Sequence, residues 1–471
     1  MRKQLFLSLF FLLGVTFTQA QSIYYVMEAS TGGGTSWSDP GDLQAMITKS
    51  VTGDQIWVAA GSYQPLASTT YFELKEGVKI YGGFTGIETD LTQRNWKLNV
   101  SILKGIGTGN LVVRNYQNHL TSATLLDGFT ITGAARPTSN GGGIYNDSSS
   151  PSFRNCIVTG NVGNYGAGVY NKSSNSEFTN VTITGNSGGK GGAGMYNDNS
   201  SPTLTNVNIS NNTSGEYGGG LRNHLSSSPT LVNVLITANQ SVRGGGIYNS
   251  AGSNAKLTNS TISRNIATHS TQGGGGIYNL DSSPVVKNTI IWGNTANGSV
   301  TVFNELTGST TYSNCLLEAG VIGDGIISNS DPLFVNVAEG NYALQATSPA
   351  VNTGNNEFVA GVLSDLAGNA RITGNLVDLG VYETKDVSTS VINLQSNDVN
   401  LSVYPNPVVD KLYIQAESSV QVVSFYDVAG RKVLQVLPVD NYVNVSNLKN
   451  GMYLVNINTA KGQVRLKISK K

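Results

Sequence analysis

The chain has 471 residues, with 29 Lys+Arg against 29 Asp+Glu and only 12% charged residues. The balanced charge leaves no basic footprint for nucleic acid, and a charged share about half the usual one calls for a surface that is polar but neutral. The 56 glycines weigh against a helical array, because Gly is unfavourable in helix interiors.

Taken in order, Arg2 and Lys3 precede an apolar run over 5–15, and the small residues Thr18 and Ala20 follow it. This reads as a secretory signal peptide over 1–20. The run is too short to span a bilayer and no later run is long enough, so no transmembrane segment is expected in the mature chain. IYYV from Ile23 reads as a strand. Asp39-Pro40-Gly41-Asp42 reads as a helix start, with Asp39 as N-cap, Pro40 in the first turn and Asp42 at N3. Leu43, Met46 and Ile47 give that helix one apolar face, suited to covering the open first rung of a stack. Residues 56–59, 78–81, 102–103, 111–113 and 129–131 read as early rungs.

Between 141 and 294 one phrase returns: GGGIYN, GAGVYN, GAGMYN, GGGLRN, GGGIYN and GGGGIYN. Its closing residues Asn146, Asn171, Asn197, Asn223, Asn249 and Asn279 lie 25, 26, 26, 26 and 30 residues apart. A fixed period in the twenties means stacked coils. A second pattern keeps the same register. Asn155, Asn180, Asn206, Asn233, Asn259 and Asn288 are each followed three residues later by an aliphatic and six residues later by another Asn, and Asn314 begins a degenerate copy. Alternate strand residues share a face, so the pairs Val181 and Ile183, Val207 and Ile209, and Val234 and Ile236 should point inward. The Asn before each pair suits a bend, since Asn tolerates left-handed dihedrals, and stacked amides can bond along the array. The expected fold is all-β: a parallel β-helix with an asparagine ladder. Cys156 and Cys315 fall six coils apart in this register, roughly 29 Å at about 4.8 Å per coil, beyond the disulfide reach of about 7 Å. They are expected to be buried free thiols.

Past Asn294 the phrase loosens. Residues 315–317 and 326–327 read as further rungs, 331–335 and 342–344 are followed by a long loop with Pro349, Asn352, Gly354 and Asn356, and 377–382 reads as the last strand. The polar stretch 385–400 reads as a linker. Six alternating runs then follow over 401–468, with Gly430 and Gly451 at turns, as in a small β-sandwich. The domain order is thus a signal peptide 1–20, a β-helix with its N-terminal capping segment 21–384, a linker 385–400 and a tail 401–471.

The tail carries YPNP (Tyr404, Pro405, Asn406, Pro407), Asp410, YDVAGRKVL with Gly430 and Arg431, VNVSNL, GMYLVNI with Gly451 and Tyr453, and a final KISKK. It resembles the C-terminal sorting domain of the type IX secretion system of Bacteroidetes-type bacteria. The resemblance implies a partnership with that secretion machinery, export across the outer membrane, and release or attachment at the cell surface. The body looks like the right-handed, pectin-lyase-like β-helix superfamily. Residues 141–294 also resemble the GGA-rich repeats of chlamydial polymorphic outer-membrane proteins, though Phe153 and Phe178 stand two residues before the Asn, not three. DPLFVN, SPAVNTG and DLAGNARITGNLVDLGVYE over 331–383 resemble the closing part of bacterial β-helix surface proteins. A fold of this kind constrains function little.

Two lines of residues break the repeat. The position after each phrase reads Asp147, Lys172, Asp198, His224, Ser250 and Leu280. Asp147 and Asp198 should lie two coils apart, roughly 9.6 Å, near the upper end of an inverting glycosidase pair at about 6.5–9.5 Å. The plainer account is a solvated ladder in which Lys172 neutralises its neighbours. The other line, Tyr145, Tyr170, Tyr196, Arg222, Tyr248 and Tyr278, should face away from the inward aliphatics, giving an exposed aromatic strip for sugar rings or a self-stacking ladder that stiffens the sheet. His119, His224 and His269 share no metal-ligand spacing, no metal site is expected, and calcium would belong only to a lyase. Two functions follow. One is a secreted or cell-surface scaffold, an adhesin or glycan-binding protein whose partner is an extracellular polysaccharide or a host or cell-surface glycan. The other is a polysaccharide lyase or glycoside hydrolase. Whether the chain is an enzyme stays open at this point.

Overall fold

The computed structural model describes residues 21–65, 70–298, 300–318, 325–359, 361–384, 401–427, 430–438 and 441–471. The expected signal peptide and the 385–400 linker lie outside the described residues. Contacts divide the chain into two units, Met1–Thr384 and Lys385–Lys471.

The first unit is a parallel β-solenoid. One coil shows how the repeat builds it: strands Val169–Lys172, Glu177–Thr179, Thr182–Thr184 and Ser187–Gly191 follow one another with short bends between. The phrase strands of successive coils stack into an eight-stranded parallel sheet from Val113–Tyr116 to Val302–Glu305. Like stacks on like: Val169 pairs with Ile144 and Met195, Tyr170 with Tyr145 and Tyr196, and Asn171 with Asn146 and Asn197. A second parallel sheet of 26 strands continues round the rest of the coils. Ile144, Val169, Met195, Leu221, Ile247 and Ile277 from one face meet Val158, Ile183, Ile209, Ile236 and Ile262 from the other in one buried core.

The glycines of the phrase have distinct reasons. Gly192 sits at φ +57°, and a Cβ there would lie 2.8 Å from the Tyr196 Cα, so the turn folds tightly onto the tyrosine. At Gly194 a Cβ would stand 2.5 Å from the Gly220 carbonyl oxygen and 3.0 Å from the Asn212 amide, leaving no room for any side chain.

There are three asparagine rows, not one. The closing Asn of each phrase lies inside its strand and is fully buried, not at a turn. It stands two residues after the inward aliphatic, so the strand period turns it to the same interior face. Its amide nitrogen donates to the next coil: Asn146 to Asn171 at 2.9 Å, Asn171 to Asn197 at 2.9 Å, Asn197 to Asn223 at 2.8 Å. A second buried row runs Asn161, Asn186, Asn212, Asn239, Asn265 and Asn294, with side-chain bonds of 2.9–3.1 Å. The third row, Asn155 to Asn314, sits at the bends with φ between 45° and 56°, as Asn is suited to do. Cys156 and Cys315 are buried and free, as expected from the register.

The helix is Leu43–Lys49, and its N-cap is Asp42, whose carboxylate accepts from the Ala45 N–H at 2.8 Å. The expected start at Asp39 is therefore three residues early. Gly41 is still extended and donates its N–H to the Tyr25 carbonyl, so the chain cannot turn helical before Asp42. Asp39 instead closes an earlier turn, accepting from the Gly33 N–H and the Thr35 hydroxyl. The apolar face is the expected one, with Leu43, Met46 and Ile47 buried.

After the strand Ile326–Ser328, an antiparallel pair forms from Phe334–Asn336 and Asn341–Leu344. The chain then runs back along the solenoid as an irregular strap. The expected last strand over 377–382 does not form. Val377, Leu379 and Val381 are buried, and so are Asp378 and Gly380 between them. Their backbone groups, however, do not join a sheet: the Val377 N–H goes to the Asn356 side chain at 2.8 Å, the Leu379 N–H to the Ala350 carbonyl at 2.9 Å, the Gly380 N–H to the Asn288 carbonyl at 2.8 Å and the Val381 N–H to the Thr261 hydroxyl at 3.2 Å. Arg371, fully buried, pins the strap by donating to the Asp378 and Gly380 carbonyls, with Glu383 3.2 Å away. Burial lowers the affinity of Arg371 for its proton, against the pull of Glu383.

The second unit is antiparallel. Sheets of three strands (Leu401–Tyr404, Lys411–Ala416, Tyr442–Asn444) and four strands (Val420–Tyr426, Lys432–Val436, Gly451–Thr459, Gly462–Lys470) enclose a core that includes Leu412, Ile414, Phe425, Val455, Ile457 and Leu466. This is the sandwich expected from the alternating runs.

Candidate functional site

The line after the phrase assembles in the expected register, Asp147 beside Lys172, Lys172 beside Asp198 and Asp198 beside His224. Asp147 is spent on the scaffold. Its side chain is 5% exposed and pairs at 3.3 Å with Lys172, while the Ser148 hydroxyl donates to its other oxygen at 3.1 Å. Asp198 keeps one buried carboxylate oxygen without a hydrogen-bond partner. Burial, then the Arg222 charge, lowers the pKa of the His224 imidazole, whose Nδ1 lies 3.1 Å from the Ser250 hydroxyl. Among the described residues no group of three or more His, Cys, Asp or Glu side chains is placed to hold a metal ion.

The tyrosine line is not an exposed strip. Tyr170, Tyr196, Tyr248 and Tyr278 are buried and Tyr145 is half-buried. Facing away from the core does not mean facing water here, because Tyr165, which ends the strand Val162–Tyr165, and Tyr217, bridged to Gly191 and Arg243, lie over the row, 5.1 Å from Tyr196 and 4.8 Å from Tyr248. The rings stack along the sheet at 5.0–5.4 Å. Arg222 fills the one gap in the stack, its guanidinium 4.7–5.7 Å from the ring centres of Tyr165, Tyr196, Tyr217 and Tyr248. A flat cation sandwiched by π faces replaces the missing ring. Burial raises the Tyr196 and Tyr248 phenols to about 12, so both rings stay uncharged beside the Arg222 cation.

The open concave surface lies elsewhere, over the bends of the third asparagine row. Two adjoining hollows of about 490 and 320 Å³ share Trp96, Lys97, Asn155, Asn180 and Thr182. One wall is the Trp96–Lys97 loop, fixed by Arg94, which pairs with the buried Asp127 at 2.8 Å. The other wall is the strap at Ser364, Leu366 and Tyr382. Sequence reasoning missed this groove because its two walls come from segments some 270 residues apart, Lys97 and Ser364. The signal that was present is the Asn155 row itself, which was read as a scaffold alone.

In the tail, the Asn406 side chain ties YPNP to the last strand, accepting from the Ser469 N–H at 2.8 Å and donating to the Lys467 carbonyl at 3.2 Å. Arg431 pairs with Asp427 at 2.8 Å, and the Tyr453 hydroxyl donates to the Lys449 carbonyl. Asp410 lends its carbonyl to the Val445 N–H, and Gly430 and Gly451 occupy positive φ. The family model for the secretion system C-terminal sorting domain matches residues 402–471, and the model for the right handed beta helix region matches residues 115–289. The chain is a right-handed β-helix protein with a type IX secretion sorting domain.

The sorting domain directs this β-helix protein through type IX secretion to the cell surface or extracellular space. No helix among the described residues is long and apolar enough to cross a membrane. No curated protein matches it. Among solved structures, it is similar to the pectate lyase Pel9A at 15% identity, over 78% of this chain and 97% of that one, with a TM-score of 0.39. It is also similar to the enzymatically active domain of the bacteriophage CBA120 tailspike protein 2 at 12% identity, over 96% of this chain and 76% of that one, with a TM-score of 0.26.

Proposed function

We propose that this secreted β-helix protein is a non-catalytic binding scaffold, an adhesin or glycan-binding protein. The observation that carries the reading is the state of Asp147. The carboxylate that catalysis would need as a free acid, base or nucleophile is buried and held by Lys172 and Ser148. An acid–base group must reach the proton it moves, and this one is turned into the ladder. The competing reading, a polysaccharide lyase or hydrolase acting through Asp147 and Asp198, keeps one observation in its favour, the unpartnered buried oxygen of Asp198.

The test is incubation of the secreted protein with pectins, alginates and other acidic and neutral glycans, followed by assays for unsaturated products and new reducing ends. No turnover is expected. Turnover that vanishes in Asp198→Asn or Asp147→Ala, in protein shown by circular dichroism to be folded, overturns the proposal.

A further inference from the structure

We infer that the open stretch of the bend row, at Asn155, Asn180 and Asn206, is a docking groove for an extended polypeptide segment of a partner protein. The inference rests on the scaffold reading above, in its adhesin form, and adds the chemical class of the partner and the place where it binds.

The strap shows what this row recognises. Along the covered half, each Asn amide offers a proton to main-chain carbonyls of the strap: Asn233 to Ser364 at 2.7 Å, Asn259 to Asp378 at 3.3 Å, Asn288 to Asn355 at 2.9 Å. Asn288 also accepts from the Asn355 N–H at 2.9 Å, so the main-chain donor and acceptor of one residue are both read. The same nitrogens spend their other proton within the row, Asn233 on Asn206 at 2.9 Å and Asn288 on Asn259 at 3.3 Å. Asn180 and Asn206 make that internal bond too, to Asn155 at 3.2 Å and Asn180 at 3.3 Å. Their second protons occupy the place that faces the strap further along, and here they line the groove. The row is one continuous surface, half of it already seating a polypeptide backbone.

The surroundings point to the same partner. Leu98 and Leu363, next in the chain to the lining residues Lys97 and Ser364, are 79% and 88% exposed, and Val100 and Ile157 are exposed where they line the smaller hollow. Extended peptides are held by hydrogen bonds to their main chain together with pockets for alternate side chains. Here the Asn amides supply the first and the apolar residues beside them the second. Sugar hydroxyls have no use for the leucines. Lys97 is the exposed charge in the lining, while Asp365 is buried and bonded to the Ala367, Asn369 and Glu383 N–H groups. The partner segment is therefore neutral or mildly acidic. From Asn155 to Asn206 the row spans two coils, about 9.6 Å, or about three residues of extended chain.

The experiment is selection of a phage-displayed library of random twelve-residue peptides on the immobilised, processed protein, with affinities of the enriched peptides measured by interferometry. Neutral and acidic oligosaccharides run in parallel. Enriched peptides are expected to bind roughly ten-fold or more weakly to the double variant Asn180→Gly/Asn206→Gly, since two amide bonds are removed while Gly keeps the positive φ of the bends. Leu98→Asp and Leu363→Asp, both at exposed positions, are expected to weaken the same peptides. Failure to enrich any peptide, or enrichment indifferent to all four substitutions, overturns the inference. Oligosaccharide binding that depends on Asn180 and Asn206 without peptide binding also overturns it, yet leaves the scaffold reading standing. Glycan turnover strikes the scaffold reading instead.

Discussion

Replacing Asn197 by Ala tests whether the interior ladder holds the solenoid together. Asn197 is fully buried, accepts from Asn171 at 2.9 Å and donates to Asn223 at 2.8 Å. The substitution leaves a buried donor on Asn171 and a buried acceptor on Asn223 with no partner. Each orphaned buried group costs about 1–3 kcal/mol, so the loss should be about 2–6 kcal/mol. Asn304 provides the internal control. It ends the same row, is exposed, and accepts from Asn279, which also bonds the Thr310 hydroxyl at 2.9 Å. The Asn304 oxygen also accepts from the Thr310 hydroxyl at 3.3 Å, at the exposed end of the row, so Asn304→Ala should cost less than about 1–2 kcal/mol and leaves no buried group without a partner. The assay is urea unfolding of the processed chain followed by far-ultraviolet circular dichroism, comparing midpoints at constant slope. If Asn197→Ala shifts the midpoint no more than Asn304→Ala, the buried amides are not each other's essential partners and the ladder argument fails.

Two further outcomes follow from buried groups. Burial raises the Cys156 and Cys315 thiols to about 12, and the thiolate is the reactive form. Neither should react with a thiol reagent at pH 8 until denaturant is added, and labelling of the native protein at the rate of a free thiol would refute their placement. In the strap, burial raises the Glu383 carboxyl from 4.5 to about 8, with Arg371 opposing and Asp378 adding to the rise. The folded state then holds this proton more tightly than the unfolded chain. The stabilisation is complete below about pH 4.5 and is lost as pH rises to about 8. Unfolding midpoints of the wild type should fall more steeply across that window than those of Glu383→Gln, and an equal or steeper fall in the variant would contradict the assignment.

Much of the solenoid was legible in the chain because its contacts are between copies of one phrase. A period near 26 fixes which residue meets which, so the inward aliphatics, the stacked tyrosines, the bend asparagines and the distance between Cys156 and Cys315 follow from counting. The sorting tail was legible for a different reason, as several separated motifs fall within one short stretch. What counting could not supply was the surroundings of each row. Residues 144–147 alternate faces, which puts Tyr145 outside the core, but only the folded placement of Tyr165 and Tyr217 decides that the row is covered. Residues 377–382 form no strand, because the Gly380 and Val381 N–H groups bond to Asn288 and Thr261, far away in the chain. The groove over Asn155, Asn180 and Asn206 is the extreme case. The repeat alone determined that seven bend asparagines lie in one line. Which of them the strap covers, and which it leaves open beside Trp96, depends on long-range packing that leaves no periodic mark in the sequence.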